Sequence, residues 1–149
     1  MKVKVFAWLL LIDRLNTYDM LQRRHCPPEN SDLTCVLCPA QARETSFHLF
    51  FQCQFSSYCW AQLGIVWNLS LNFDDMLLQA KSSYRSTHFV EKILYAAWNI
   101  WKQRNALIFQ NVPPSVVSWK ALFKIDLSLL VFRLKDSERQ ALSQCINLL

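Results

Sequence analysis

Residues 35–53, with the sequence CVLCPAQARETSFHLFFQC, place three cysteines and one histidine close together in the chain. Their spacing is C-x2-C-x9-H-x4-C, formed by Cys35, Cys38, His48 and Cys53. A C-x2-C turn brings two thiolates close enough to share one tetrahedral ion, and a histidine with a further cysteine completes a closed set of four ligands. The spacing therefore predicts a structural Zn²⁺ ion bound by these four residues.

Two other interpretations of these residues stay open at this point. C-x2-C also marks thioredoxin-like redox proteins, although that fold needs a β-α-β context that the sequence lacks. The cysteines could instead be free buried thiols, with His48 packed beside Phe47 and Phe50 as an ordinary helix residue. The remaining cysteines lack paired spacing and are interpreted as core or surface thiols: Cys26, Cys59 and Cys145. Whether Cys59 or Cys26 can replace a ligand also stays open, and His25 and His88 are expected at the surface.

The composition predicts a mainly α protein. The 149 residues are 52% hydrophobic and 18% charged, which excludes an intrinsically disordered chain. One glycine and five prolines provide little of the turn chemistry that an all-β sandwich or barrel requires. We expect a small irregular zinc-binding loop lobe packed on a helical bundle. Residues 1–63 would form the zinc-binding lobe with its N-terminal helices, and residues 64–149 a helical extension within one continuous unit.

Apolar periodicity predicts helices on both sides of the cysteine-rich loop. Residues 2–15 are expected to form a buried helix, and Asn16 or Thr17 to cap a short second one. A weak helix around residues 74–80, a firm helix over residues 91–109 and a last helix from Ser115 follow. The side chains expected in the core are Val5, Trp8, Leu9, Ile12 and Leu15, then Leu94, Trp98, Trp101 and Ile108, and finally Val116, Trp119, Leu122, Phe123, Leu127 and Leu130.

The spacing between His48 and Cys53 constrains the helix that joins them. At roughly 100° per residue, two side chains five positions apart on a straight α-helix point about 140° away from each other. They could not bind the same ion from one unbroken helix. We therefore expect the helix that starts near Ser46 to end or bend near Cys53, with Ser56 capping the next helix.

The N-terminal stretch MKVKVFAWLLLIDRL begins like a signal peptide, with two lysines before an apolar run, but does not continue like one. Asp13 and Arg14 follow the apolar run at once, no small-residue cleavage site appears, and the run is too short to span a bilayer. We expect an intracellular chain with no membrane partner. In a reducing compartment, six cysteines favour metal binding or free thiols over a disulfide framework.

Several stretches, read together, carry a family resemblance. They are KVKVFAWLLLIDRLNTYDML, CVLC, ET followed by HLFFQC, CW, and WNIWKQRN with IF two residues later. These resemble the zinc-binding region of plant reverse-transcriptase-like proteins derived from non-LTR retrotransposons, over residues 2 to about 110. The resemblance implies zinc ligands at Cys35, Cys38, His48 and Cys53, and Glu44 and Thr45 also match. Family members usually have a proline and much sequence before the K-V-K stretch, so the resemblance suggests a truncated copy.

The sequence offers no organised catalytic motif. A polymerase turn reads aromatic-x-Asp-Asp, but the Asp74-Asp75 pair follows Phe73 directly and is interpreted as a solvated helix start. The eleven acidic residues are too scattered for ribonuclease H chemistry, which gathers several carboxylates around divalent metal ions. A single glycine excludes a glycine-rich phosphate loop. We expect a protein that is not an enzyme and has no small-molecule substrate.

The formal net charge of +5 permits an anionic partner such as RNA or DNA. The candidate phosphate-contacting residues surround the zinc lobe: Lys2, Lys4, Arg14, Arg23, Arg24 and Arg43. We expect weak binding without strong base preference. The alternatives are a non-catalytic scaffold that binds a protein partner through an exposed apolar surface, and an inert gene fragment.

Overall fold

The computed structural model describes residues 2–26, 32–84, 86, 88–132, 134 and 136–148, and these residues are mainly α-helical. The helices are α1 (Lys2–Leu11), α2 (Tyr18–Arg23), a π-helix (His48–Gln52), α3 (Gln54–Ala61), α4 (Phe73–Tyr84), α5 (Phe89–Gln110), α6 (Val116–Val131) and α7 (Asp136–Leu148). Within the described ranges, β pairing is limited to one antiparallel bridge between Thr34 and Arg43. The prediction of a mainly α protein with a small irregular loop lobe is confirmed.

Helix α5 forms the centre of the fold and packs against α1, α3 and α6. Ala96 and Ala97 on its buried face are small, so the neighbouring helix α6 can approach closely. The indole N–H of Trp119 on α6 donates to the Ala96 carbonyl at 3.1 Å, and its ring stacks on Phe123 with centroids 5.4 Å apart. Trp119, Phe123 and Leu127 are fully buried, as their helical spacing predicted, whereas the other three residues of the predicted face are half-buried: Val116, Leu122 and Leu130.

The buried face of α5 differs from the predicted stripe. The aromatic rings of Trp98 and Trp101 are only partly buried, and so are Leu94 and Ile108. The buried positions instead include four polar residues: Lys92, Asn99, Gln103 and Arg104. A pattern of hydrophobicity assigns such residues to solvent, but here they have polar partners from other parts of the chain. The Asn99 amide donates to the Asp126 carboxylate at 2.9 Å, and the Gln103 side-chain oxygen accepts from the Ser115 N–H at 3.0 Å.

Helix α1 lies at the surface, so the prediction of a buried helix over residues 2–15 was wrong in extent and in orientation. Only Phe6 is buried among its residues, and its ring packs against Trp98 and Phe50 with centroids 5.3 and 5.9 Å apart. Trp8 is 63% exposed. The other residues predicted for this core face divide as follows: Val5 and Ile12 are exposed, Leu9 is half-buried, and Leu15 is buried beyond the end of the helix. A helix that is apolar on nearly every side does not reveal which side meets the core.

The helix ends agree with local sequence signals in most places. The Thr17 hydroxyl accepts from the Met20 N–H at 3.3 Å and caps α2, and Ser115 caps α6 in the same way. Helix α4 is longer than the predicted 74–80, and its Asp74 and Asp75 are exposed in the first turn. The surface prediction was correct for His25 and wrong for His88, which is 6% exposed at the start of α5.

No helix among the described residues has both the length and the apolar character needed to cross a lipid bilayer.

Candidate metal centre

The loop that carries Cys35 and Cys38 is closed by backbone hydrogen bonds. The Cys35 N–H donates to the Ala42 carbonyl and the Glu44 N–H donates to the Leu33 carbonyl, both at 2.8 Å. These bonds flank the bridge between residues 34 and 43 and hold the two ends of the loop together. The loop therefore presents both cysteines from a fixed base.

The π-helix brings His48 and Cys53 to the same side of the chain, which a straight α-helix would not do. The Cys53 N–H donates to the His48 carbonyl at 2.7 Å, a bond across five residues that places Cys53 one wide turn after His48. Cys53 then adopts extended backbone angles and becomes the N-cap of α3. The prediction that the helix ends or bends near Cys53 is confirmed. The prediction that Ser56 caps the next helix was wrong, because Ser56 lies inside α3 and its hydroxyl donates to the Leu49 carbonyl.

The structure brings the four residues singled out by spacing into one cluster. Their ligand atoms all lie within 4.8 Å of one another. The sulfurs of Cys35 and Cys53 are 3.8 Å apart, and the Cys38 sulfur is 3.4 Å from His48 Nε2. A tetrahedral zinc ion with ordinary bond lengths would separate two sulfurs by about 3.8 Å and a sulfur from a nitrogen by about 3.6 Å. The cluster therefore suits zinc in ligand type and in size.

The cluster is shielded from solvent. Cys35, His48 and Cys53 are buried, and Cys38 is half-buried. The sulfur separation of 3.8 Å is far longer than a disulfide bond, and the three cysteines of the cluster are free. A set of three sulfurs and one imidazole nitrogen already fills the four positions of a structural zinc site.

The surroundings of Cys53 favour its thiolate form. A hydrogen bond from the Cys35 thiol, aided by the backbone N–H groups of Ser56 and Phe55, lowers the pKa of Cys53 to about 5 although burial acts in the opposite direction. The same sulfur–sulfur hydrogen bond raises the pKa of Cys35. The two backbone donors belong to the first turn of α3, where unpaired N–H groups stabilise negative charge. A thiolate is the form that binds metal.

The other cysteines do not join the cluster. Cys59 is fully buried in α3 but lies outside the group of four, and burial raises its pKa, which favours the neutral thiol. Cys26 is exposed. The side chain of Cys145 lies outside the described part of the structure. Among the described cysteines, the geometry selects the same set as the sequence spacing did.

Two residues that support the cluster were not assigned a role by sequence reasoning. The Thr45 hydroxyl accepts from the His48 N–H at 3.0 Å, and a threonine directly before a helical turn is a recognisable N-cap signal. Glu44 is fully buried and pairs with Arg104, with Oε1 and Nη2 2.6 Å apart. No local pattern connects two residues that are sixty positions apart.

The six candidate phosphate-contacting residues are all exposed. Four of them form what we call the basic patch: Arg14, Arg23, Arg24 and Arg43. Arg23 and Arg43 both pair with the buried carboxylate of Asp19, and Arg24 donates to the Arg14 carbonyl at 3.3 Å. Lys2 and Lys4 lie outside the patch, in the first turn of α1.

The aromatic residues next to His48 mainly belong to the core. Phe50 is fully buried and Phe51 is 6% exposed, while Phe47 is half-buried. Phe51 makes edge contacts with Trp67 and Phe73, at centroid distances of 5.1 and 5.6 Å. In this conformation Phe50 and Phe51 offer no free face to a nucleobase.

Comparison with known proteins points to the same segment. Residues 1–60 match the profile of a family described as zinc-binding in reverse transcriptase. This range contains all four clustered residues and ends inside α3. No curated protein and no solved structure gave a significant match to the chain. The matching profile and a cluster of three cysteines and a histidine suited to zinc make residues 1–60 similar to the zinc-binding region of reverse transcriptase.

Proposed function

We propose that this chain is a non-catalytic module in which Cys35, Cys38, His48 and Cys53 hold one structural Zn²⁺ ion. The observation that carries the proposal is the convergence of their ligand atoms within 4.8 Å, at separations that suit tetrahedral zinc. When bound, the ion supplies a cross-link between the loop and the π-helix. The four protein ligands leave no position for a reactive water, so the role of the site is structural.

Elemental analysis of protein purified after zinc-supplemented expression tests this proposal. We expect one zinc per chain, retained through dialysis against metal-free buffer. A content far below one zinc per chain, in protein that is folded by circular dichroism, would contradict it.

We further propose that the module binds RNA or DNA weakly and without strong base preference. The basic patch supports this, because each guanidinium carries five N–H donors, and the contacts of Arg23 and Arg43 with Asp19, Asp13 and Gln22 occupy only some of them. The burial of Phe50 and Phe51 supports the lack of base preference, since contacts to phosphates carry no sequence information.

Anisotropy titrations with mixed-sequence RNA and DNA at increasing salt test this second part. If three to five phosphates are neutralised, the logarithm of affinity should fall with the logarithm of salt at a slope of roughly −2 to −5. Absence of binding at low salt, with zinc confirmed in place, would contradict nucleic-acid binding and leave the zinc proposal intact.

A second candidate function is self-association, favoured by an apolar groove of about 650 Å³ between α1, α5 and α6. Trp8, Leu11 and Leu129 line this α1 groove and are each more than half exposed. Lys4 and Glu91 also line it, so a second copy related by a two-fold axis could pair each lysine with the glutamate of its partner. Sedimentation of the protein, alone and with nucleic acid, at low and high salt distinguishes self-association from nucleic-acid binding. An apolar interface between two copies persists at high salt, whereas contacts to phosphates weaken.

A further inference from the structure

Arg104 contacts the segment that carries the metal cluster from outside the family-matched region. It lies in α5, beyond residues 1–60, and its side chain is 3% exposed. Its guanidinium binds the buried Glu44 carboxylate at two points, with Nη2 2.6 Å from Oε1 and Nε 3.3 Å from Oε2. A two-point contact between planar groups fixes orientation as well as distance.

Both charged groups are held further by their neighbours. The rings of Tyr18 and Trp101 contact the Arg104 guanidinium, with centroids 4.8 and 4.9 Å from its central carbon. The Tyr18 N–H donates to Glu44 Oε1 at 3.0 Å. Because α2 and α5 together surround this ion pair, the carboxylate has little freedom to move.

Glu44 in turn connects the two segments that carry metal ligands. Its N–H donates to the Leu33 carbonyl at 2.8 Å, two residues before Cys35. The hydroxyl of the next residue, Thr45, accepts from the His48 N–H at 3.0 Å, at the start of the helical turn over Ser46 and Phe47 that leads into the π-helix. A displacement of Glu44 would therefore change the position of Cys35 relative to His48.

We propose that Arg104 is a positioning residue for the metal centre: by fixing Glu44, it sets the relative position of Cys35 and His48 and so the affinity for zinc. The inference rests on the proposed zinc function and adds a residue from the helical part of the chain to it. Groups that orient metal ligands without touching the metal typically change affinity by about 10- to 100-fold when they are replaced.

The test compares three variants of the full chain. Arg104→Lys keeps the charge but loses the two-point contact, and Glu44→Gln with Arg104→Met replaces the ion pair by neutral groups of similar size. Leu127→Ala is the control, because it removes a fully buried side chain from α6 and lowers stability without contacting the loop. Zinc affinity is measured by competition with a chromophoric chelator, and ligand geometry by the absorption bands of the Co²⁺-substituted protein.

We expect one zinc per chain in every variant. The zinc affinity of Arg104→Lys should be about 10- to 100-fold weaker than that of Leu127→Ala. The Co²⁺ absorption bands should change only in the variants that alter the ion pair. If Arg104→Lys does not fold, the neutral double variant decides by the same criteria. If the ion-pair variants bind zinc within twofold of the Leu127→Ala control and their Co²⁺ spectra are unchanged, the inference about Arg104 is wrong. The proposed zinc site would not be affected by that result. Failure of the unmodified chain to bind stoichiometric zinc would instead overturn both proposals.

Discussion

The indole N–H of Trp60 donates to the Phe50 carbonyl at 2.6 Å and ties α3 to the π-helix. Both residues are essentially inaccessible to solvent, with exposures of 1% and 0%. Between them along the chain stands Cys53, whose extended backbone ends the π-helix and begins α3. This hydrogen bond therefore holds the two helical segments on either side of one member of the cysteine–histidine cluster.

Replacing Trp60 by phenylalanine should lower the free energy of unfolding by about 1–3 kcal/mol, because a buried carbonyl loses its donor and the smaller ring leaves a gap. Chemical denaturation of the zinc-loaded protein measures the change. Tyr58→Phe is the matched control, since Tyr58 lies on the same helix but is 55% exposed and should change stability by less than about 0.5 kcal/mol. Equal effects of the two substitutions would show that the hydrogen bond does not hold this junction.

Removing zinc with a chelator should loosen the metal lobe before the rest of the fold. Binding to a structural site of this kind contributes on the order of 10 kcal/mol, and this energy is coupled to local folding. Hydrogen exchange should therefore accelerate first within residues 32–63. Amides of α6 serve as the internal reference, and unchanged exchange in residues 32–63 after metal removal would contradict the coupling.

Cys53→Ser should lose most of the bound zinc and cost far more stability than Cys59→Ser. Both cysteines are fully buried, but only Cys53 belongs to the metal cluster. The serine hydroxyl is a poorer zinc ligand than a thiolate, whereas at position 59 it only introduces a polar group into the core. Zinc content and thermal unfolding are measured for both variants. Similar losses would identify Cys53 as an ordinary core thiol.

Replacing Arg23 and Arg24 together by glutamine should reduce the steepness of the salt dependence of nucleic-acid binding by about one to two units of slope. Each arginine that contacts a phosphate contributes close to one unit. The control variant replaces Lys120 and Lys124 on α6, outside the basic patch, by glutamine. It should leave the slope of affinity against salt unchanged. An equal reduction in both variants would mean that binding depends on net charge alone.

If a second copy occupies the α1 groove, Lys4→Glu and Glu91→Lys should each weaken dimerisation and their combination should restore it. Each single change places two like charges opposite each other across the two-fold axis, and the double change re-forms the pairs with reversed sign. Analytical ultracentrifugation across a range of concentrations measures the effect. A chain that stays monomeric at the highest attainable concentration would exclude this use of the groove.

Local sequence determined which four residues form the cysteine–histidine cluster and the helical character of this protein. The C-x2-C pair, a histidine and a fourth cysteine predicted the cluster, because short spacings restrict which side chains can meet around one ion. The helix caps Thr17 and Ser115 were also predictable from local sequence, because each side chain bonds to a backbone N–H three residues later. The need for a bend near Cys53 followed from counting residues along an ideal helix.

Tertiary structure alone decided which faces of the helices are buried and what supports the metal centre. Helix α1 is apolar on most sides, so packing against α5 selected Phe6 for the core and left Trp8 exposed. Local sequence did not predict the burial of Arg104, because its compensating charge, Glu44, is sixty positions away. A buried charge is tolerable only when its partner is already in place, and such a pairing is a property of the assembled fold that periodicity and spacing do not record.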